Sequence, residues 1–290
     1  MFDVKESICH MGYGAKACED TVGHGKDYCF VMDGASGLGG NNMLDPLSDS
    51  AWMVETVRRG LCDRLDRGDP RPTRQLLLEV VAEVREEYLE ALARQGLDAP
   101  TDSPSAGMAL FRPRNGKLEF FGMGDCVGVA MLPDGTGFYA LDEKLPALDH
   151  QVIEEMMAMH RQTGISIPEA KKACNHRLLH NRGLRNKPGG YWILDLLTDE
   201  GIENAREEAW ELTAPVKVAA FSDGFAQLTE LFGQYPDYLS LFAAMEREGA
   251  ETLFRRLCAL QDDDPDCSQY PRFKHRDDTS ALWGVFTPTL

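Results

Sequence analysis

Four aspartates stand where apolar runs of this sequence begin or end, and their carboxylates are the side chains best placed to do chemistry. They are Asp33 in FVMDG, Asp125 in FGMGDC, Asp223 in AAFSDG and Asp277 in HRDDTSALWGVF. A strand buried on both faces carries its terminal side chain to the edge of a sheet, where ligands usually bind. Carboxylates gathered there, away from bulk water, would repel one another unless positive charge lay between them. We therefore expect a divalent cation, and an all-oxygen site suits Mg²⁺ or Mn²⁺.

The Asp-Gly pairs need a second interpretation, because Asp-Gly is also a common hairpin signal. The pair at 134–135 follows a proline and joins two alternating runs, which is typical of a plain turn. The pairs at 33–34 and 223–224 each follow an unbroken apolar run, although either one alone is more often a turn or a helix cap than a ligand. Taken with the other two aspartates, they favour the ligand interpretation.

The overall charge of the chain argues against several kinds of partner. The 290 residues are 43% apolar, enough for a large core, and carry a formal net charge of −17. Nucleic acid binding needs a basic footprint, which this balance disfavours. No apolar run approaches the length of a membrane span, so we expect neither a nucleic acid nor a membrane as partner. The sequence does not indicate an oligomeric state.

Cysteine usage and the N-terminus predict a cytoplasmic location. None of the eight cysteines forms a C-x-x-C pair, and several lie within apolar runs. Such cysteines are typical of free, buried thiols in a reducing compartment. The N-terminal MFDVKESICHMGYG has no long apolar stretch after basic residues, so no signal peptide is expected.

The elements that must position the aspartates follow from the apolar patterns. Strands are predicted at 28–33, 106–112, 117–124, 126–132, 137–141, 191–197, 216–222 and 279–286. Helices are predicted at about 48–65, from 73 to just before Gly96, and at 150–163, 168–180, 225–232, 237–248 and 250–261. A Gly/Asn-rich loop is predicted at 37–42. Asn-Gly and Asp-Gly turns predict an antiparallel meander over 106–141, and the whole predicts an α+β layered domain.

Five acidic motifs, in order and spacing, resemble those of the protein phosphatase 2C family of metal-dependent Ser/Thr phosphatases. They are ED (19–20), VMDGASG (31–37), GMGDCVG (122–128), FSDGF (221–225) and DDTSALWGVF (277–286). The resemblance implies a central β-sandwich of two antiparallel sheets flanked by helices on both sides, in four αββα layers. It implies one domain over 1–290, with a binuclear Mg²⁺ or Mn²⁺ site at one end of the sandwich and a third ion in some members.

The resemblance also implies a metal ligand set. Asp33 should bridge the two ions and the Gly34 carbonyl should bind one of them, while Asp223 and Asp277 complete the shell of the other. These aspartates would act through metal-bound water, since two cations sharing a water lower its pKa toward neutrality. The resulting hydroxide would attack phosphorus in line, and the cations would neutralise phosphate charge in the transition state.

A surrounding set of acids is implied in the same way. Glu19 and Asp20 should hold metal-bound waters. Asp125 matches the position that builds, with Asp223, a third and weaker metal site in some members. Asp278 stands where many members have Asn, and we expect it to orient the loop rather than bind metal.

The substrate side departs from the family pattern. Many members have a phosphate-binding Arg four residues before the matching Glu, where this sequence has Ala15, and a His after the first Asp-Gly, where it has Ala35. Lys16 is adjacent, but an ammonium lacks the guanidinium fork. The expected reaction is hydrolysis of phosphoserine and phosphothreonine in proteins.

A basic segment at 170–190 lies within a helical, flap-like insert at about 146–190. We hypothesise that Arg182 or Arg185 replaces the missing phosphate-binding Arg. A solvated helix face that balances acidic neighbours is an equally good interpretation.

Two alternatives to a protein phosphatase stay open. One is a pseudophosphatase, a binding or regulatory module, which Ala15 and Ala35 favour slightly and the three clustered aspartates disfavour. The other keeps the metal site but takes a small phosphorylated metabolite as substrate.

Overall fold

A computed structural model describes residues 1–37, 42–44, 48–100 and 102–288, so most of the predicted Gly/Asn-rich loop at 37–42 lies outside the described residues. The strands are β1 (Phe2–His10), β2 (Asp20–Gly25), β3 (Tyr28–Ala35), β4 (Ser105–Arg114), β5 (Lys117–Met123), β6 (Val127–Met131), β7 (Gly137–Ala140), β8 (Leu194–Asp195), β9 (Arg206–Glu211), β10 (Val216–Phe221) and β11 (Thr279–Phe286). The helices are α1 (Asp49–Asp66), α2 (Thr73–Arg94), α3 (Lys144–Thr163), α4 (Ile167–Ala173), α5 (Asn175–Arg182), α6 (Glu200–Glu203), α7 (Asp223–Glu230), α8 (Tyr238–Glu248) and α9 (Ala250–Asp262).

Two antiparallel sheets form the centre of the molecule. The first has the strand order β1-β11-β10-β6-β7, and the second has the order β2-β3-β4-β5-β9, with β8 paired to β4. Side chains alternate between the faces of each strand. In β3, Cys29 and Val31 therefore point into the core between the sheets, while Phe30 and Met32 point toward helices.

Helices cover the outer face of each sheet, which confirms the predicted four-layer αββα sandwich. On the second sheet, α1 and α2 bury a stripe that includes Val57, Leu61 and Val80. On the first sheet, α7, α8 and α9 bury Phe225, Leu241 and other apolar side chains. Ser48 caps α1 by accepting a hydrogen bond from the Ala51 backbone N–H.

The predicted meander over 106–141 is wrong in one respect, because the chain changes sheets inside it. Strands β4 and β5 pair in the second sheet, and β6 and β7 pair in the first, so both predicted hairpins are present. Between β5 and β6 the chain crosses the sandwich through Gly124, whose φ is 67°. The crossing leaves Asp125 at the end of the sandwich, between the two sheets.

Other element predictions need smaller corrections. The helix predicted at 168–180 is broken at Cys174 into α4 and α5, and α3 begins at Lys144. Of the strand predicted at 191–197, Leu194–Asp195 is a strand. Strands β1, β2 and β9 are not among the predicted strands. Among the described helices, none combines the length and apolar character needed to cross a bilayer.

Candidate metal centre

Two acidic strand residues meet at one end of the sandwich because of their register. Asp20 on β2 is the pairing partner of Asp33 on β3. Asp33 continues the alternation of Cys29 and Val31, so its side chain belongs to the face between the sheets. Asp20 is buried and accepts a hydrogen bond at 2.7 Å from Ser280 Oγ, on β11 of the opposite sheet. Acids from one sheet thus reach the other at this end.

The predicted ligands line one cavity at this end of the sandwich. A cavity of about 330 Å³ is lined by Asp33, Gly34, Asp125, Asp223 and Asp277, together with Glu19. Asp125 comes from the crossing between β5 and β6, Asp223 is the first residue of α7, and Asp277 precedes β11. The structure therefore brings the four aspartates of the sequence motifs together in space.

The glycines of the two Asp-Gly motifs allow close approach of the chain. A Cβ at Gly34 would lie 2.6 Å from the backbone oxygen of Glu19, and a Cβ at Gly224 would lie 2.0 Å from that of Asp278. Any larger residue would push these segments apart. Each glycine therefore holds one acidic motif directly against another.

The aspartates disfavour one another's charge. Burial raises the pKa of Asp33 well above its usual range, and the charges of Asp20, Asp223 and Asp125 raise it further. Burial, followed by repulsion from Asp277, raises the pKa of Asp223 to about 7. Asp33 and Asp223 share a hydrogen bond, which requires a proton on one of them.

The donor set fits a divalent cation. Asp20 Oδ1 is buried and has no hydrogen-bond partner, so an acceptor faces this end of the sandwich unsatisfied. A hard dication would satisfy oxygen donors and replace the shared proton. Across the described residues, no three His, Cys, Asp or Glu side chains are already spaced to grip a metal ion together.

Glu19 and Asp278 organise the segments around the carboxylates. Glu19 Oε1 accepts hydrogen bonds from the hydroxyls of Ser36 and Ser48, the latter at 2.5 Å. Asp278 accepts from the Gly12 N–H at 2.6 Å and from the Glu19 N–H at 2.7 Å. Asp278 thus ties together both ends of the segment between β1 and β2, the orienting role that we expect for it.

Three basic side chains face the cavity. Lys274 Nζ lies 2.6 Å from Asp277 Oδ1. Burial opposes the charge of Lys274, but Asp277, Asp223 and Asp33 together raise its pKa. Arg182 and Lys171 come from the insert and line the cavity as well. The cluster therefore already holds positive charge that could meet a phosphate.

The three predicted phosphate-binding residues lie in different places. Arg182 lines the cavity and donates to the Ser36 carbonyl at 2.6 Å. Arg185 is outside the lining, and its buried guanidinium pairs with Asp195 at 2.9 Å. Lys16 lines an adjoining groove of about 340 Å³, which shares Lys274 with the cavity.

Three charged residues of the cavity lining, Lys171, Lys274 and Asp149, are not among the predicted site residues. Lys274 stands three residues before Asp277, and a basic residue so close to an acidic motif was a usable signal. Asp149 comes from α3, and its pKa is raised to about 6, mainly by burial and further by Asp277, against the attraction of Arg182. No local pattern in the sequence distinguishes Asp149 from a surface acid.

Comparisons with known proteins agree with this fold. A family model described as protein phosphatase 2C matches residues 14–259. A comparison with curated protein sequences gives no significant match. Among solved structures, the Mycobacterium tuberculosis serine/threonine phosphatase PstP/Ppp matches with a TM-score of 0.53 and 14% identity over 100% of both chains.

Two further structures show the same fold. Serine/threonine phosphatase Stp1 from Staphylococcus aureus has a TM-score of 0.51 and 11% identity, covering 99% of this chain and 95% of its own. The catalytic domain of PstP in complex with two manganese ions has a TM-score of 0.51 and 14% identity, covering 98% of this chain and 99% of its own. At such identities the likeness shows the fold alone.

A four-layer sandwich with carboxylates gathered at one end defines the class of this molecule. The chain belongs to the protein phosphatase 2C family, as the family model over most of its length shows. The family places it among the serine/threonine protein phosphatases, which are hydrolases.

Proposed function

We propose that this chain hydrolyses phosphoserine and phosphothreonine in proteins, with Mg²⁺ or Mn²⁺ held by Asp33, the Gly34 carbonyl, Asp223 and Asp277. The observation that supports the proposal most is the meeting of these acids with three basic side chains in one cavity. Carboxylates suit hard dications, and the basic groups suit a phosphate dianion. A site of both charges in one cavity is what a metal-dependent phosphomonoesterase requires.

The residues of the chain divide the work by position. Bound divalent ions would supply Lewis acidity, lowering the pKa of water and neutralising phosphate charge. Asp20, whose Oδ1 has no partner, and Glu19 would orient water beside the ions. Asp125 would add ligands for a further ion next to Asp223. Burial raises the pKa of Asp125, and the charge of Asp223 raises it further, which indicates that the two carboxylates are close.

Phosphate recognition is assigned to Arg182 and Lys274. Both line the cavity. Together they would replace the phosphate-binding arginine that many family members have at the position of Ala15. Arg182 is held by the Ser36 carbonyl, so its guanidinium is preorganised. Lys16 lies in the adjoining groove, where it would meet the peptide beside the phosphate. Arg185 is left out of the proposal because it lies outside the cavity lining, where its buried guanidinium pairs with Asp195.

The activity is tested with a phosphothreonine peptide and p-nitrophenyl phosphate, each with and without Mn²⁺. We expect Mn²⁺-dependent release of phosphate that falls at least 100-fold in Asp223→Asn. Asp134→Asn is the matched control, because Asp134 lies in the exposed β6–β7 turn and should keep full activity.

Each alternative predicts a different result. A pseudophosphatase would release no phosphate from either substrate at any Mn²⁺ concentration. A metabolite phosphatase would hydrolyse members of a panel of small phosphorylated metabolites much faster than the phosphopeptide. The intact carboxylates and the basic lining favour turnover, and the adjoining groove of about 340 Å³ offers room for residues beside the phosphate, which favours a peptide.

A further inference from the structure

Cys9 and Cys18 lie in contact at the edge of the sandwich. Their Sγ atoms are 3.7 Å apart, and both are free thiols. Cys9 is exposed, on β1 at the edge of the first sheet, and Cys18 is half-buried, just before β2 at the edge of the second. A disulfide would need the sulfurs to approach from 3.7 Å to about 2.05 Å.

The two cysteines bracket one wall of the groove beside the carboxylates. Residues 12–17 line that groove, and we call them the groove loop. Asp278 already fastens the loop at both ends through the N–H groups of Gly12 and Glu19. A Cys9–Cys18 bond would close the same loop covalently without requiring a new path of the chain.

We propose that Cys9 and Cys18 are a reversible modification site, at which a hydroperoxide oxidises the pair to a disulfide that restrains the groove loop. In the first step the Cys9 thiolate attacks one oxygen of the peroxide, an S–O bond forms as the O–O bond breaks, and the other oxygen leaves with a proton, as water when the oxidant is hydrogen peroxide. In the second step Cys18 attacks the sulfenic sulfur, the S–S bond forms as the S–O bond breaks, and the hydroxyl leaves with a proton as water. The pair loses two electrons, and the peroxide gains them; a dithiol reverses the change.

The surroundings favour Cys9 as the thiol that reacts first. Cys9 is the more exposed of the two, and the hydrogen bond between the sulfurs lowers its pKa. The backbone oxygen of Asp20 also lies 3.5 Å from its sulfur, so the side chain is held toward β2. In a reducing compartment such pairs are usually transient sensors rather than structural bonds.

The site is tested by mass spectrometry of the folded full chain after brief exposure to hydrogen peroxide. Trypsin should release Cys9 within residues 6–16 and Cys18 within residues 17–26. We expect these two peptides to appear joined, at a mass lower by two hydrogen atoms than their sum, and to separate with dithiothreitol. Cys258→Ser, which removes a half-buried thiol on α9, should leave the joined pair in place.

The outcomes are distinct. Absence of the joined peptides, sulfinic acid at Cys9 without a cross-link, or a cross-link to another cysteine would each overturn the site. Cys9→Ser and Cys18→Ser must each abolish the joined pair. Hydrogen exchange tests the restraint: amides of residues 12–17 should exchange several-fold more slowly after oxidation, and unchanged exchange would contradict it. Neither readout depends on the proposed phosphatase activity.

Discussion

Asp149 is an acid whose surroundings disfavour its charge. Its folded-state pKa of about 6 lies above the ordinary value of 3.8 for an aspartate, with burial as the main cause. The folded state therefore binds a proton more tightly than the unfolded chain between these values. Its contribution to stability is fully present below about pH 4 and is lost as the pH rises through about 6. At neutral pH the charged Asp149 weakens the fold.

Replacing this acid should stabilise the metal-free protein at neutral pH. We expect Asp149→Asn to raise the free energy of unfolding by about 1 kcal/mol at pH 7, after allowance for the partial exposure of the side chain. Near pH 4 the advantage should vanish. Urea unfolding across this pH range measures the difference. Asp134→Asn is the control, and an equal gain there would contradict the burial argument.

The phosphate assignment makes a second prediction for single residues. Removing Arg182 or Lys274 should raise KM for p-nitrophenyl phosphate roughly tenfold, the loss of one charge-assisted contact. Arg185→Ala should instead lower the melting temperature, since it leaves buried Asp195 unpaired, while KM of the folded enzyme stays unchanged. Steady-state kinetics with thermal melts separates the two effects. If neither Arg182→Ala nor Lys274→Met raises KM, the assignment is wrong.

At the scale of elements, the crossing from β5 to β6 depends on Gly124. Its φ of 67° disfavours an L side chain, and a Cβ would lie 2.7 Å from Gly107 Cα. Gly135 has a φ of 84° but no atom within 4 Å of its Cβ position. The two glycines therefore share the backbone requirement and differ in packing.

Replacing each of these two glycines by alanine separates the cost of backbone strain from the cost of overpacking. Gly135→Ala should cost about 1 kcal/mol of stability from the positive φ alone. Gly124→Ala should cost about 3 kcal/mol, because the methyl group also pushes β4 from the crossing. Urea unfolding midpoints give the comparison. Equal losses would mean that the crossing tolerates the methyl group.

The elements differ in how far the sequence predicts them. Strand β3 is predictable because both of its faces are apolar, so the run is unbroken. Strand β1 is not, because Glu6 interrupts the apolar alternation of Phe2, Val4 and Ile8. The Glu6 carboxylate accepts hydrogen bonds from the Ala250 N–H and the Trp283 indole. Strand β9 is a charged edge strand that resembles a loop in composition. In both cases the strand forms because of contacts with residues that are distant in the sequence, and the local pattern does not show these contacts.

At the scale of the whole molecule, the insert supplies two of the three basic side chains described at the acidic end. Helices α3, α4 and α5 have a small core of their own, formed by Val152, Met156 and their neighbours. From them Arg182 and Lys171 reach the cavity. The sequence predicts that the acidic motifs come together, because they stand at strand ends that share a sheet edge. Which basic residues join them depends on how the insert docks, which no local pattern encodes. The single domain over 1–290 stays a prediction.

The net charge of −17 makes the response to cations a property of the whole chain as well as of the site. Mn²⁺ at 100 times its dissociation constant should stabilise the fold by about 2.7 kcal/mol, or roughly 5 °C in melting temperature. Screening of the surface charge would also stabilise the fold, but without regard to site.

Melting of wild-type protein and Asp223→Asn, with Mn²⁺ and with NaCl of equal ionic strength, distinguishes binding at the site from screening. The variant should melt higher than wild type without metal, because one of the mutually repelling carboxylates is gone, and should lose the Mn²⁺ shift. Equal Mn²⁺ shifts in both proteins would assign the effect to screening and remove the support for a metal held by these aspartates.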